Sequence, residues 1–316
     1  MNVDNILVTG GDGFIGSNLI RELLKDNYKV STTSRKPLEE TSLRDLRGRI
    51  DFHKLDLTNE NHVTKLIKKV NPNVIIHLAS IINKKNDPSS LNDSMKNIQM
   101  SLNIYNSSLK LENLHIIINF GTAEEYSNNI SPLTENQIGI AVSPYSLSKI
   151  QINKLSTYFH KIHNLPVVTL RPFLVYGENQ SPTMIIPYII TQGLKNNQIK
   201  TTPGEQTRDF IYVKDLTSAI IRVIEIPKKE LLGETINICS SKEITVREVI
   251  EKIKQLTNSN SKINFNIPYR KNEAMRFFGS NEKAKKLLKW EPSYPIEEGL
   301  KRTVNWYKNN MDSWKN

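Results

Sequence analysis

The 316-residue chain carries one cysteine, Cys239. An internal disulfide framework is therefore excluded, and so is a cysteine-rich zinc site. No other pattern points to a metal. Long apolar runs are missing too: mean hydropathy is −0.44, and nothing approaches the roughly 18 residues that a membrane span needs. The richest stretches, 73–82 and 115–120, have the length of buried strands. The opening Met1-Asn2-Val3-Asp4-Asn5 lacks the basic region, apolar region and cleavage site of a signal peptide. The expectation is a cytoplasmic protein with no membrane partner. Acidic residues are in deficit, since Asp+Glu 32 against Lys+Arg 43 leaves a net charge of +11. Such an excess suits an anionic partner. The lysines are dispersed, however, in pairs such as Lys68-Lys69, Lys84-Lys85, Lys228-Lys229 and Lys285-Lys286. No continuous basic arm interleaves with aromatics, so a solvated lysine-rich surface is expected and nucleic-acid binding is not. No repeat or low-complexity segment is present.

What is present is an alternation. Asn5–Thr9 is a short apolar strand, followed by a glycine-rich turn and an amphipathic run with Ile15, Leu19, Leu23 and Leu24. Tyr28–Thr33 reads as a second strand. Val63, Leu66, Ile67 and Val70 share one helical face, and the β-branched run Val74–Leu78 follows the break at Asn71-Pro72. Met95–Leu109 reads as a helix and His115–Phe120 as a strand. Ile152, Leu155, Phe159 and Ile162 lie at helical spacing, and Val167–Leu170 is one more strand. Strands alternating with helices predict an α/β fold, a doubly wound parallel sheet with right-handed crossovers. After Arg171 the texture changes. Pro172, Pro182, Pro187, Pro203 and Pro227 punctuate it, and Thr245 with Glu248 forms a capping-box pair ahead of Val249, Ile250, Ile253 and Leu256. The expected division is a first domain over 1–171, to which a segment near 207–240 returns, and a smaller second domain mainly over 172–316.

Thr9-Gly10-Gly11-Asp12-Gly13-Phe14-Ile15-Gly16 joins the first strand to the first helix. Gly10, Gly13 and Gly16 let the backbone turn tightly and approach a pyrophosphate, which the helix N-terminus then meets with unpaired N–H groups. A turn that serves only helix–strand packing is the alternative. The second strand ends Thr33-Ser34-Arg35-Lys36. It offers no carboxylate to bind an adenosine ribose and repel a 2′-phosphate, while Arg35 offers a fork to a phosphate. That favours NADP(H) and leaves NAD(H) open; a solvated arginine is the other reading. Asp56-Leu57 either meets the adenine or caps a helix.

Tyr145 and Lys149 stand in Ser143-Pro144-Tyr145-Ser146-Leu147-Ser148-Lys149. On a helix, positions i and i+4 share a face, and a neighbouring ammonium is expected to lower the phenol's pKa from about 10. Tyr145 then becomes a usable acid–base group. Such pairs also arise by chance. Thr122, just past the strand 115–120, is placed where open α/β sheets bind ligands; a turn residue bonding its own backbone is the alternative.

At this point the chain resembles the extended short-chain dehydrogenase/reductases that act on nucleotide-linked sugars. The residues that carry the resemblance are Thr9–Gly16, Pro72–Ala79, Thr122–Tyr126, Pro144-Tyr145 with Lys149, Arg171-Pro172-Phe173 with Tyr176-Gly177, Arg208–Asp215, and Lys286–Pro292. The resemblance implies a Rossmann-type NAD(P)-binding domain and a smaller C-terminal α/β nucleotide-sugar domain. It implies Tyr145 as general acid–base, Lys149 on the nicotinamide ribose, and Thr122 on the reacting sugar oxygen. It gives Gly10, Gly13, Phe14, Ile15 and Gly16 to the pyrophosphate turn, with Leu78 and Ala79 beside the cofactor. Arg208 and Arg270 look like the arginines that bind the substrate's phosphates; an ion pair of Arg208 with Asp209 or Asp215 competes with that role. A homodimer is implied as well.

Several chemistries share this scaffold. Dehydratases of the family commonly carry an acidic pair or Ser-Glu directly after the threonine. Here Ala123-Glu124 follows: Glu124 is a possible base, but Ala123 has no proton to give. A 4,6-dehydratase is therefore disfavoured. Glu124-Glu125-Tyr126 looks more like the reductases of 4-keto-6-deoxy nucleotide sugars, and with Arg35 the resemblance implies NADPH-dependent reduction of such a sugar nucleotide. A 4-epimerase with tightly bound NAD is the alternative. Outside enzymes, a cofactor-sensing or nucleic-acid-binding relative with idle chemistry remains open.

Overall fold

The computed structural model describes residues 5–311 and residue 314, apart from residues 84, 86, 128, 227, 228 and 272. The opening residues, Lys84, Pro227 and Lys228 therefore lie outside the described residues. Six strands of the first half, β1 (Asn5–Thr9), β2 (Lys29–Ser34), β3 (Asp51–Lys54), β4 (Val74–His77), β5 (Ile116–Phe120) and β6 (Val167–Pro172), share one sheet with Thr235–Ile238. The order is Thr235–Ile238, β6, β5, β4, β1, β2, β3, and every neighbouring pair is parallel. This is a Rossmann-type sheet. Chain order reverses between β1 and β4, where diverging connections leave a crevice at the strands' carboxyl ends.

Successive side chains of a strand face opposite layers, and here both layers are apolar. Ile6, Val8, Val74, Ile76, Ile116 and Ile118 bury on one face, with Leu19, Ile20 and Leu23 of α1 (Phe14–Leu23). Leu7, Ile75, Ile117 and Val167 bury on the other, under α2 (Glu60–Val70), α3 (Pro88–Ser108) and α4 (Pro144–His163). The strand β3 escapes sequence reading because it is an edge: Asp51-Phe52-His53-Lys54 pairs with β2 alone and keeps polar residues. Helices α3 and α4 start earlier than their apolar spacing implies. Asp87 and Ser143 cap them, each followed by a proline in the first turn, and capping chemistry rather than apolar period sets such starts.

Beyond β6 the chain builds a second core and also returns to the first. α5 (Ile185–Leu194), α7 (Val246–Thr257) and α9 (Ile296–Asn309) enclose Ile189, Ile190, Ile250, Ile253, Val304 and Tyr307. Thr245 and Glu248 make the expected capping box. By contrast, α6 (Val213–Glu225) packs on α1, and α8 (Glu282–Leu288) on Thr235–Ile238. Among the described residues, no helix is long and apolar enough to cross a membrane.

Candidate functional site

The crevice is floored by the glycine turn. Gly10 has φ +67°, and a Cβ there would lie 2.8 Å from the Ala79 Cα and N. A Cβ on Gly16 would stand 2.5 Å from the Gly10 carbonyl. Both positions need glycine, because backbone cannot yield as a side chain tip can. Gly13 donates its N–H to the Gly10 carbonyl (3.1 Å) and is the N-cap of α1 with no side-chain cap bond. The first-turn N–H groups of α1 thus carry no side-chain cap, while the Phe14 and Ile15 side chains pack on the second and first cores. Leu57, Leu78 and Ala79 supply an apolar wall. Beside them the buried Ser80 Oγ has no partner among the described residues. A backbone cradle, an apolar wall and an orphan hydroxyl together fit a dinucleotide.

Of two further sequence candidates, Arg35 lines this cleft and Asp56 lies between the lining residues Leu55 and Leu57. Arg35 is exposed. Asp56 is exposed and accepts the backbone N–H and hydroxyl of Thr58, both at 2.9 Å. Those bonds hold its carboxyl below the usual range, with Arg35 adding to the effect. It is not the cap of α2, since Asn59 takes that place and accepts from the His62 N–H (3.1 Å). Asp56 closes the turn just before the helix.

His77, at the end of β4, ties the crevice floor to α3. The Ala79 N–H donates to Thr9 Oγ1 (3.3 Å), whose own proton goes to His77 Nδ1 (2.8 Å). His77 Nε2 then donates to Ser101 Oγ (3.1 Å), which donates to the Asn97 carbonyl (3.2 Å). Ser101 Oγ spends its proton on Asn97, so in the neutral imidazole the ring proton sits on Nε2 and Nδ1 is left to accept from Thr9. Burial, with the Lys149 charge adding to it, pushes the ring down to about 3. The unfolded imidazole takes up a proton below about 6.5, so the folded state loses stability as pH falls from there toward the folded value. The melting temperature of the native chain is expected to drop more between about pH 7 and about pH 5 than that of His77→Gln. Parallel melting curves would remove His77 from this role.

Past β5, Thr122 is the N-cap of a short 3-10 turn, 123–126. Its Oγ1 accepts weakly from the Glu124 N–H (3.4 Å), and its N–H donates to Glu125 Oε1 (2.8 Å). The other Glu125 oxygen pairs with Arg171 (2.8 Å). The first turn of α4 brings Tyr145 to the same place. Lys149, one turn on, is buried and donates to the Phe120 carbonyl (2.9 Å), with its Nζ 5.7 Å from the Tyr145 ring centre. Glu124 accepts from Ser143 Oγ at 3.5 Å. Thr122, Glu124, Tyr145 and Lys149 therefore gather at one end of the sheet.

The electrostatics correct one expectation. Tyr145 is raised above its ordinary value, not lowered: burial acts most, and Glu124 and Glu125 add to it. Lys149 is itself pushed down to about 8 by burial, which Glu125 partly opposes. A buried ammonium bound to a carbonyl does not outweigh desolvation of the phenol.

Arg208 and Arg270 lie in the second lobe, outside the lining of the cleft. The ionic partner of Arg208 is Glu273, rather than Asp209 or Asp215. It also donates to the Thr207 and Ala274 carbonyls, both at 2.7 Å. Burial lowers its pKa, and the charge of Arg270 pushes the same way. Asp209 is taken by Ser240, Ser241 and Gly279, and Asp215 by the N–H groups of Ser293 and Tyr294. Arg270 is exposed. The sequence reading missed Glu125, Arg171 and His77 as parts of the site's frame. The available signal was a charged residue inside the buried strand Val167–Pro172, which demands a partner. No group of three or more His, Cys, Asp and Glu among the described residues is arranged for a metal ion.

The profile of the NAD dependent epimerase/dehydratase family matches residues 6–239. A UDP-glucuronate 4-epimerase of Thermodesulfobacterium geofontis is 30% identical over 320 residues, covering 97% of this chain and 97% of that protein. Among solved structures, the UDP-glucuronic acid 4-epimerase of Bacillus cereus, in complex with UDP-glucuronic acid and NAD, is similar with a TM-score of 0.88. It is 27% identical and covers 96% of this chain and 99% of its own. The dTDP-glucose 4,6-dehydratase of Bacillus anthracis, in complex with NAD, has a TM-score of 0.86, 29% identity and 99% coverage of both chains.

Proposed function

Because the chain belongs to the NAD dependent epimerase/dehydratase family and is an enzyme of the extended short-chain dehydrogenase/reductase type, we propose that it inverts C4 of a UDP- or dTDP-linked sugar through a transient 4-keto sugar. The observation that carries this reading is the meeting of Thr122, Tyr145 and Lys149 beside the cradle, with buried Ala123 where a dehydratase needs an acid. Tyr145 takes the proton from the sugar O4 hydroxyl and returns it to the opposite face's alkoxide. Thr122 Oγ1 hydrogen-bonds the same oxygen, and Lys149 holds the nicotinamide ribose. Burial, with the charges of Glu124 and Glu125 adding to it, strengthens the phenol's hold on the proton, so a positive neighbour is needed to free it. A bound oxidised nicotinamide supplies that charge together with the hydride acceptor. Arg208 and Arg270 are the proposed partners of the substrate phosphates, with Glu273 displaced from Arg208 on binding.

The second reading is the NADPH-dependent 4-ketoreductase, favoured by Arg35 at the cleft. Denaturing the purified protein and weighing any released dinucleotide separates the two. The expected result is NAD near one per chain, and conversion of UDP-glucose or UDP-glucuronic acid to its C4 epimer. An empty site that prefers NADPH and reduces a 4-keto-6-deoxy sugar nucleotide would replace the epimerase with the reductase. A homodimer is also proposed, since α3 and α4 pack on each other and leave Leu91, Met95, Leu147, Tyr158 and Ile162 exposed.

A further inference from the structure

We propose that Asp12, from the glycine turn, binds the adenosine ribose hydroxyls of the dinucleotide and excludes a 2′-phosphate, the role that β2 leaves empty at its end. This rests on the reading of the cleft as a dinucleotide site. β2 ends with Ser34 and then Arg35, without a carboxylate. The structure brings one there from elsewhere: Ser34 Oγ donates to Asp12 Oδ2 at 2.8 Å, across 22 residues of sequence. Ser34 Oγ in turn accepts the Lys36 N–H (3.0 Å), so the hydroxyl is fixed to its own strand end. The Asp12 carbonyl accepts from Ser42 Oγ (3.1 Å), which anchors the turn to the segment after β2. The carboxylate is thereby held by one oxygen. Oδ1 keeps no hydrogen bond among the described residues, and both Asp12 and Ser34 line the cleft beside Thr33 and Gly13.

A ribose diol presents two O–H donors, which a carboxylate oxygen accepts, whereas a phosphate brings like charge. Arg35 argues the other way and is answered by its surroundings. Its charge acts on Asp56 and on Asp93, both of which it helps to keep ionised. The arginine at the rim is exposed, with no hydrogen bond or ion pair that fixes its head among the described residues, whereas the carboxylate tied to the strand end is Asp12.

The test is a fluorescence titration of the full chain, freed of resident dinucleotide, with NADH and with NADPH. The native protein is expected to bind NADH more tightly by at least about tenfold, the scale of one like-charge contact near a protein surface. Asp12→Asn keeps an acceptor for Ser34 and removes the charge, and it is expected to bring the two affinities within about threefold of each other. Arg35→Ala is expected to leave the native ratio in place. Ser34→Ala, which frees the carboxylate from the strand, is expected to weaken the discrimination partway. A native preference for NADPH, an unchanged ratio in Asp12→Asn, or a ratio set by Arg35→Ala overturns the assignment while leaving the cleft a dinucleotide site. Binding of neither dinucleotide to a folded native chain overturns the cleft reading itself.

Discussion

Tyr145→Phe is expected to lower kcat for C4 inversion by about 10²–10⁴-fold and to leave the bound dinucleotide in place. In the proposed reaction the phenol is the acid–base group, and phenylalanine keeps its shape. The side chain lies in the first turn of α4, which Ser143 and Pro144 define by capping, so the helix start does not depend on the hydroxyl. Binding should also persist, because the cradle is built from Gly10, Gly13 and Gly16 and not from α4. Two measurements on the same preparation check this: released dinucleotide per chain, and turnover of a UDP-sugar at saturation. Undiminished turnover would remove Tyr145 from the chemistry. Loss of the dinucleotide with it would make the residue a binding group instead.

Arg171→Met is expected to destabilise the fold by about 3–5 kcal/mol, the usual cost of leaving one partner of a buried ion pair alone. The side chains of Arg171 and Glu125 are 9% and 2% exposed. Arg171 also donates to the Tyr126 hydroxyl (2.6 Å), which donates to Asn237 Oδ1 (2.7 Å). Its guanidinium lies 4.5 Å from the centre of the Tyr126 ring. Removing the cation leaves the Glu125 carboxylate desolvated, with the Thr122 N–H as its remaining bond. The double variant Glu125→Leu/Arg171→Met removes both charges and is expected to recover much of the loss in urea unfolding. Its kcat is expected to stay low, because Thr122 then loses the acceptor that orients its backbone. A single variant as stable as the native chain would show that the pair is not a structural keystone.

Much of this was legible before the structure. The glycine spacing is a local backbone device, and its context between a strand and a helix is local too. Apolar alternation located five of the strands in the first half, and i,i+4 spacing put Tyr145 and Lys149 on one face. β3 was not legible, since an edge strand need not be apolar. The starts of α3 and α4 were set by Asp87 and Ser143 rather than by period. The partner of Arg208 was sought among its sequence neighbours, whereas Glu273 comes from 65 residues away.

The sequence by itself determined the sheet class, the glycine turn and the placing of Tyr145 and Lys149 on one helical face, because each follows from short-range spacing along the backbone. Only the tertiary structure decided how those groups are charged. It set the half-buried Tyr145 where desolvation, with the Glu124 and Glu125 charges adding to it, raises its pKa, where spacing alone predicted a fall. It joined Glu125 to Arg171, Thr9 to His77 and Asp12 to Ser34. Desolvation and pairing between distant segments exist only once the sheet has closed, and in this protein they govern where the protons and charges of the site reside.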